Sequence, residues 1–272
     1  MDIILRNFFN IIRSGAFNDK SRIEVMSPFK WRRLFLMVEE QNVVNLFVRG
    51  VNANADDENL NIPSGLVDEI QKSLGVSESK IARQEDNIVA LSNKFFNKKL
   101  RKIIDRERHS IDTSVEALDV LKLIVFNTNA MLNHGISLGG IIKLGQFLRS
   151  KGDKVDFIKL ESWLISLRLI RMAQLQGSIL IAFFGFEQNE LPFVIKEEPN
   201  AYKLTIKTVL NLAKDTTEEW HFKQNSAGFV RNNGAVLRKN LRRSLRYIEY
   251  APIETTSNFI NNFIKSLSEI EE

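Results

Sequence analysis

Between Ser64 and Leu191 the chain contains no proline; its five prolines stand at positions 28, 63, 192, 199 and 252. Proline is the residue that most reliably breaks a helix, because it lacks a backbone donor and its ring collides with the preceding turn. So long a stretch without it favours helices over short strands and tight turns. Apolar residues recur at three- and four-residue spacing in one segment after another, which is the helical period. The one period-two run, Tyr202, Leu204 and Ile206 alternating with Lys203, Thr205 and Lys207, continues into Val209, Leu210 and Leu212 at helical spacing. The sequence therefore predicts an all-α protein, a multi-helix bundle without a catalytic β-sheet.

Local signals place the elements. Asp2 to Ser14 reads as a first helix with Ile4, Phe8, Ile11 and Ile12 on its apolar side. Ser27-Pro28 gives a cap followed by proline at the first helical position, opening a helix to about Glu40 with Leu34, Phe35 and Val38 inward. A short helix over Val43 to Val51 leads into a polar loop near 52–61, and Pro63 restarts a helix that Gly75 is expected to end. Glu78 to Arg108 reads as one long helix with a thin stripe of Ile81, Ile88, Leu91, Phe95 and Leu100, broken near Ser110 and Ile111. Asp112 to Asn133 offers more than one apolar face, from Val115, Leu118, Val120, Leu121, Ile124, Val125 and Ala130, and is expected to be central. Leu138 to Arg149, an apolar region over Asp156 to Phe184, Tyr202 to Lys214, Gly234 to Tyr250 and Thr256 to Ile270 complete a single helical domain, 1–272.

With 44% hydrophobic and 26% charged residues, the 272-residue chain can build a real core and needs no disulfide or metal to hold it. It has no cysteine, which removes thiol nucleophiles, zinc knuckles and iron-sulfur ligands together. The beginning, Met1-Asp2-Ile3-Ile4-Leu5-Arg6, carries an acid where a signal peptide is basic. The uncharged stretches Leu123 to Ile142 and Met172 to Phe186 are too polar or too short to span hydrocarbon. A cytoplasmic protein with no membrane association is the expectation.

Several segments together resemble a known family. Trp31, Leu34 and Glu39-Glu40-Gln41-Asn42-Val43-Val44 are followed by Leu46-Phe47 and Gly50. Later come His134-Gly135-Ile136-Ser137-Leu138, Val155-Asp156-Phe157 with Leu160 and Leu167, and Glu190-Leu191-Pro192-Phe193. Arg243-Ser244-Leu245-Arg246-Tyr247 and Tyr250-Ala251-Pro252 close the series. In this order, over roughly the first 50 residues and 112 to 265, they resemble the nucleotidyltransferases found in bacterial surface-polysaccharide gene clusters. The resemblance implies a small sheet with Asp-x-Asp acids holding magnesium against a triphosphate, since nucleotidyl transfer needs a metal to neutralise developing charge. Between Gly50 and Asp112 this chain has no Lys-Gly strand and no Gly-Asp-x-Asp segment. Asp56 and Asp57 are adjacent, so one strand face could not present both, and they read as loop acids. After Leu138, Gly139-Gly140 and Lys143-Leu144 stand where the family shows Arg-Gln and Asp-Trp. The resemblance is thus to a degenerate member lacking the catalytic insert, and an enzyme is disfavoured.

No other catalytic pattern appears. His109, His134 and His221 lack metal-ligand spacing, and His134 beside Gly135 reads as a helix end. There is no Gly-x-Ser-x-Gly elbow, and Gly135, Gly139, Gly140 and Gly145 read as close helix packing rather than a phosphate loop. No metal or other cofactor is expected. Of the charges, which sum to +5, the most specific group is Arg231 to Arg246, six bases without an acid. On a helix Arg238, Arg242 and Arg246 share one face and Leu237, Leu241 and Leu245 its neighbour. Arg238, Lys239, Arg242, Arg243 and Arg246 form the candidate anion-binding set; a solvated helix face is the plainer alternative. The first expectation is a non-catalytic interaction or accessory protein with an unidentified protein partner or anionic ligand. The alternatives are a nucleotide-binding nucleotidyltransferase whose site is unrecognised, and a nucleic-acid-associated helical module. Nucleic acid is disfavoured, because only Tyr247 and Tyr250 accompany the bases.

Overall fold

A computed structural model describes residues 2–81, 89–109, 113–220 and 233–268. Among these residues there are twelve α-helices and no strand, so the protein is all-α. The chain packs into two compact units. The first is Met1–Ile88 with Ala182–Gly185, and the second is Val89–Ile181 with Phe186–Glu272.

The first unit holds α1 (Ile3–Phe17), α2 (Pro28–Glu40), α3 (Val44–Ala53) and α4 (Ser64–Ile81). Helices α1 and α3 cross at two glycines: a methyl on Gly15 would overlap the Leu46 carbonyl, and one on Gly50 would overlap that of Ile11. Backbone therefore meets backbone, and only residues without a side chain permit it. Phe8, Ile11, Ile12, Trp31, Leu34, Val38 and Phe47 are buried around this crossing. Helix α2 begins at Pro28 as the proline signal predicts. The polar segment after α3 is tied to the core by hydrogen bonds, since Asn61 accepts from the Trp31 indole at 3.0 Å and donates to Met26 O at 2.9 Å. Asp57 accepts from the amides of Ile23 and Asn59, which hold its carboxyl below the usual range, Asn59 most strongly, so it is a loop acid. Gly75 does not end α4, which continues to Ile81.

The second unit holds α5 (Lys94–His109), α6 (Val115–His134), α7 (Leu138–Lys151), α8 (Phe157–Ser166), α9 (Ile170–Phe184, whose last turn is assigned to the first unit), α10 (Ala201–Trp220), α11 (Asn233–Tyr247) and α12 (Pro252–Ser268). As expected, α6 is central, packing against α5, α7, α8, α11 and α12. Leu118, Val120, Leu121, Ile124 and Val125 are buried, whereas Val115 is exposed at its first position. Buried amides cross-link this core. Gln176 donates to Ile124 O at 3.1 Å and to the Thr128 hydroxyl at 3.3 Å, and it accepts from Asn127 at 3.1 Å. Asn127 also donates to Gly140 O at 3.1 Å, and a side chain at Gly140 would strike the Asn127 amide. Close packing is thus what that glycine serves. Helix α6 ends at His134 on Gly135, whose φ of 94° suits glycine.

The single helix expected over Glu78 to Arg108 is two. Residues 89–93 are irregular, and α5 starts afresh at Lys94. Asn93 supplies the reason: its side-chain oxygen accepts from the amides of Phe95 and Phe96, both at 3.1 Å, as an N-cap does. The amides of Ser92 and Asn93 in turn bind the carboxylate of Glu254, in the first turn of α12, the second at 3.1 Å. The helix break expected at Ser110 and Ile111 lies outside the described residues, as do Ile88, His221 and Arg231.

Candidate functional site

The basic helix forms, as α11, but its cations are not one row. Arg238 and Arg242, one turn apart, are exposed and make no ion pair among the described residues. Arg243 is half-buried and donates to the carbonyl of Asn133 in the last turn of α6, where free carbonyls and the negative end of the helix dipole favour a cation. It is a structural arginine. Arg246 is half-buried beside the Tyr247 hydroxyl. The Lys239 side chain lies outside the described residues. Of the five candidates the structure places two, Arg238 and Arg242, where an outside anion could meet them. Leu241 and Leu245, 45% and 62% exposed, lie on the neighbouring face, so α11 shows an apolar stripe alongside its charge.

The two tyrosines are unavailable for stacking. Tyr247 and Tyr250 are 0% and 2% exposed. Burial pushes the Tyr247 hydroxyl up, with Thr208 and Arg246 near it but outside hydrogen-bonding geometry. Burial likewise pushes Tyr250 up to about 12, and the Arg171 guanidinium lies 5.1 Å from its ring centroid while pairing with Glu198 at 2.9 Å. These rings belong to the core, which removes the aromatic support for a nucleic-acid surface on α11.

A second cationic surface escaped the sequence reading. Helix α5 carries Lys94, Lys98, Lys99, Arg101, Lys102, Arg106 and Arg108 against Asp105 and Glu107. Its apolar side packs Phe96 and Leu100 inward, but Phe95, read as part of the thin apolar stripe, is 70% exposed. Between α5 and α8 lie two adjoining hollows of about 610 and 570 Å³ that share Phe95, Lys99 and Ser166. Ile103, Trp163, Ile165 and Ile253 give the groove an apolar lining, and Lys98, Lys99, Lys102, Arg106 and Arg168 stand along it. Lys99 donates to Ser166 O at 3.0 Å, which fixes its stem across the groove. The one acid in the lining, Glu107, is 8% exposed, accepts from the Ser114 amide at 3.2 Å and pairs with Lys159 at 3.5 Å. It therefore leaves the field of the lysines at the mouth largely positive.

Arg168 reaches the groove from the α8–α9 connection, where its φ of 58° is left-handed. The signal that could have found this surface was local: seven bases within the sixteen residues of α5. Reading a longer helix diluted it with Glu78, Glu85 and Asp86.

Among the described residues no group of three or more His, Asp or Glu side chains is placed to hold a metal ion. No described helix is long and apolar enough to cross a membrane. No family model matches the chain, and neither a curated protein nor a solved structure matches it. What the described surfaces offer chemically is fixed positive charge beside apolar side chains.

Proposed function

We propose that this chain is a non-catalytic helical interaction or accessory protein, a relative of the polysaccharide-locus nucleotidyltransferases, that engages an anionic partner through its second unit. The observation that carries the reading is the pair Arg238 and Arg242, exposed on a helix that holds five bases and no acid. A guanidinium fork is always charged and engages carboxylate or phosphate bidentately, so two forks about 6 Å apart along one helix face favour an oxyanion-bearing ligand. The family resemblance contributes the suggestion of a scaffold that has lost its triphosphate chemistry. It rests on the segments from Trp31 to Gly50 and from His134 to Pro252.

Calorimetric titration of the full chain with ATP, with and without magnesium, separates this reading from the nucleotidyltransferase alternative. The expected result is heat too small to fit in both cases. ATP affinity that rises sharply with magnesium would overturn it, because that dependence marks a metal-triphosphate site. In parallel, a poly-glutamate peptide is expected to bind in low salt and to lose about tenfold in affinity in an Arg238→Glu, Arg242→Glu variant, about 1.4 kcal/mol. Unchanged affinity in that variant would remove α11 from the account.

A further inference from the structure

We infer that the groove between α5 and α8 is a docking site for an acidic amphipathic helix of a partner protein, with the partner's apolar face against the groove and its carboxylates along the lysines of α5. This rests on the interaction-protein reading above and deepens it. Three features of the groove select that occupant.

The apolar lining pairs three isoleucines, Ile103, Ile165 and Ile253, with three rings, Phe95, Phe96 and Trp163. Such side chains fill well against leucine-like anchors presented at i, i+3 or i+4 and i+7, the way a helix lies in a hydrophobic groove. A single-stranded nucleic acid would call instead for a run of flat rings on which successive bases stack. Phe96 is only 7% exposed, which leaves Phe95 and Trp163 to serve.

The charge is arranged along one line. Lys98, Lys102 and Arg106, all exposed, follow one another at four-residue intervals, about 6 Å per step and about 12 Å in total. A helix lying alongside α5 with glutamates four residues apart repeats the same interval, so successive carboxylates meet successive cations. A neutral or basic helix would leave the cationic rim unanswered.

The surface is also costly to leave bare. Phe95, Ile165 and Ile253 are 70%, 54% and 43% exposed at one hollow. Contiguous apolar surface ringed by charge marks a binding site more often than scattered exposed residues do. Rigid support is already present: Lys99 spans to Ser166 O, and Asn93 caps the α5 end beside Phe95.

The test is fluorescence anisotropy with the full chain and a labelled helical peptide bearing leucine and phenylalanine on one face and glutamate on the other. Three probes run beside it: a scrambled peptide of the same composition, the same peptide with lysine for glutamate, and a labelled oligo-dT strand. The acidic amphipathic peptide is expected to bind at least about tenfold more tightly than any of these. Phe95→Asp and the double variant Lys98→Glu, Lys102→Glu are each expected to weaken it about tenfold. Because Phe95 and both lysines are exposed, circular dichroism and the melting temperature should not move. Ile165→Asp on α8 repeats the test from the opposite wall. Equal binding of the scrambled peptide, tighter binding of oligo-dT, or undiminished binding by the groove variants would each overturn the proposal. If the α11 variant abolishes peptide binding while the groove variants do not, the groove is excluded and the interaction-protein reading survives. ATP binding that depends on magnesium removes the reading itself.

Discussion

Removing the Glu254 carboxylate should weaken the second unit by about 2 kcal/mol, and it should do so through the start of α5. Glu254 is 2% exposed, and its two oxygens accept from the amides of Ser92 and Asn93. Glu254→Ala leaves two backbone donors without an acceptor, at about 1 to 3 kcal/mol each when buried. Ser92 and Asn93 are only half-buried, which puts each near the low end, and losing a desolvated charge returns part of the cost. Burial raises the Glu254 pKa above the ordinary glutamate range, against the lowering effect of the two amides. The sign follows. A carboxyl that holds its proton more tightly in the folded chain than in the unfolded one contributes most at low pH, and stability falls as pH climbs from the ordinary value, about 4.3, to the raised one.

Hydrogen exchange at the amides of residues 91–96, read by mass spectrometry between about pH 4 and 8, reports the local opening free energy once intrinsic rates are divided out. Glu254→Ala should lose protection there by about thirtyfold, the equivalent of 2 kcal/mol. Glu254→Gln, which cannot titrate, should flatten that pH dependence. A loss below about 0.5 kcal/mol in the alanine variant, or an unchanged pH slope in the glutamine variant, would show that this carboxylate does not anchor α5.

Three further outcomes follow from the packing. Gly50→Ala, which drives a methyl into the Ile11 carbonyl, should destabilise the first unit by about 1 to 3 kcal/mol in urea unfolding, while Gly65→Ala, with open space around it, should be neutral or slightly stabilising; equal effects would refute a backbone-close crossing. Gln176→Leu should cost about 1 to 3 kcal/mol, and the double variant with Asn127→Ala should lose less than the sum in thermal melting, because both break one network. Arg168→Gly should raise the melting temperature, by relief of about 0.5 to 1 kcal/mol of left-handed strain at its φ of 58°; a fall would mean that its guanidinium contributes more than the backbone costs.

The helical class and several starts were legible because their causes are local. Pro28 opens α2, although Ser27 before it makes no side-chain cap bond, and the spacing of Leu34, Phe35 and Val38 identifies its buried side. Gly75 misled, since a glycine inside a helix costs only about 1 kcal/mol and packing can absorb it. The break before α5 carried its own cap, Asn93, but an amphipathic pattern ran on across it, and the partner that stabilises the break comes from a distant part of the chain. The turn between α8 and α9 uses Arg168 in a conformation normally given to glycine or asparagine, so no residue type announced it. On α11 the count of bases was visible, but not the diversion of Arg243 to the Asn133 carbonyl. That needs the third dimension, as does the groove, whose two walls are separated in sequence by α6 and α7.

The bond between Glu254 and Ser92 joins residues 162 positions apart. As a ribosome extends the chain, the lysine-rich helix must therefore wait for most of the remaining polypeptide before its leading edge is secured. Until then the start of that helix lacks its anchor, and this interval is when the nascent protein would be most vulnerable to capture by chaperones or to misassembly.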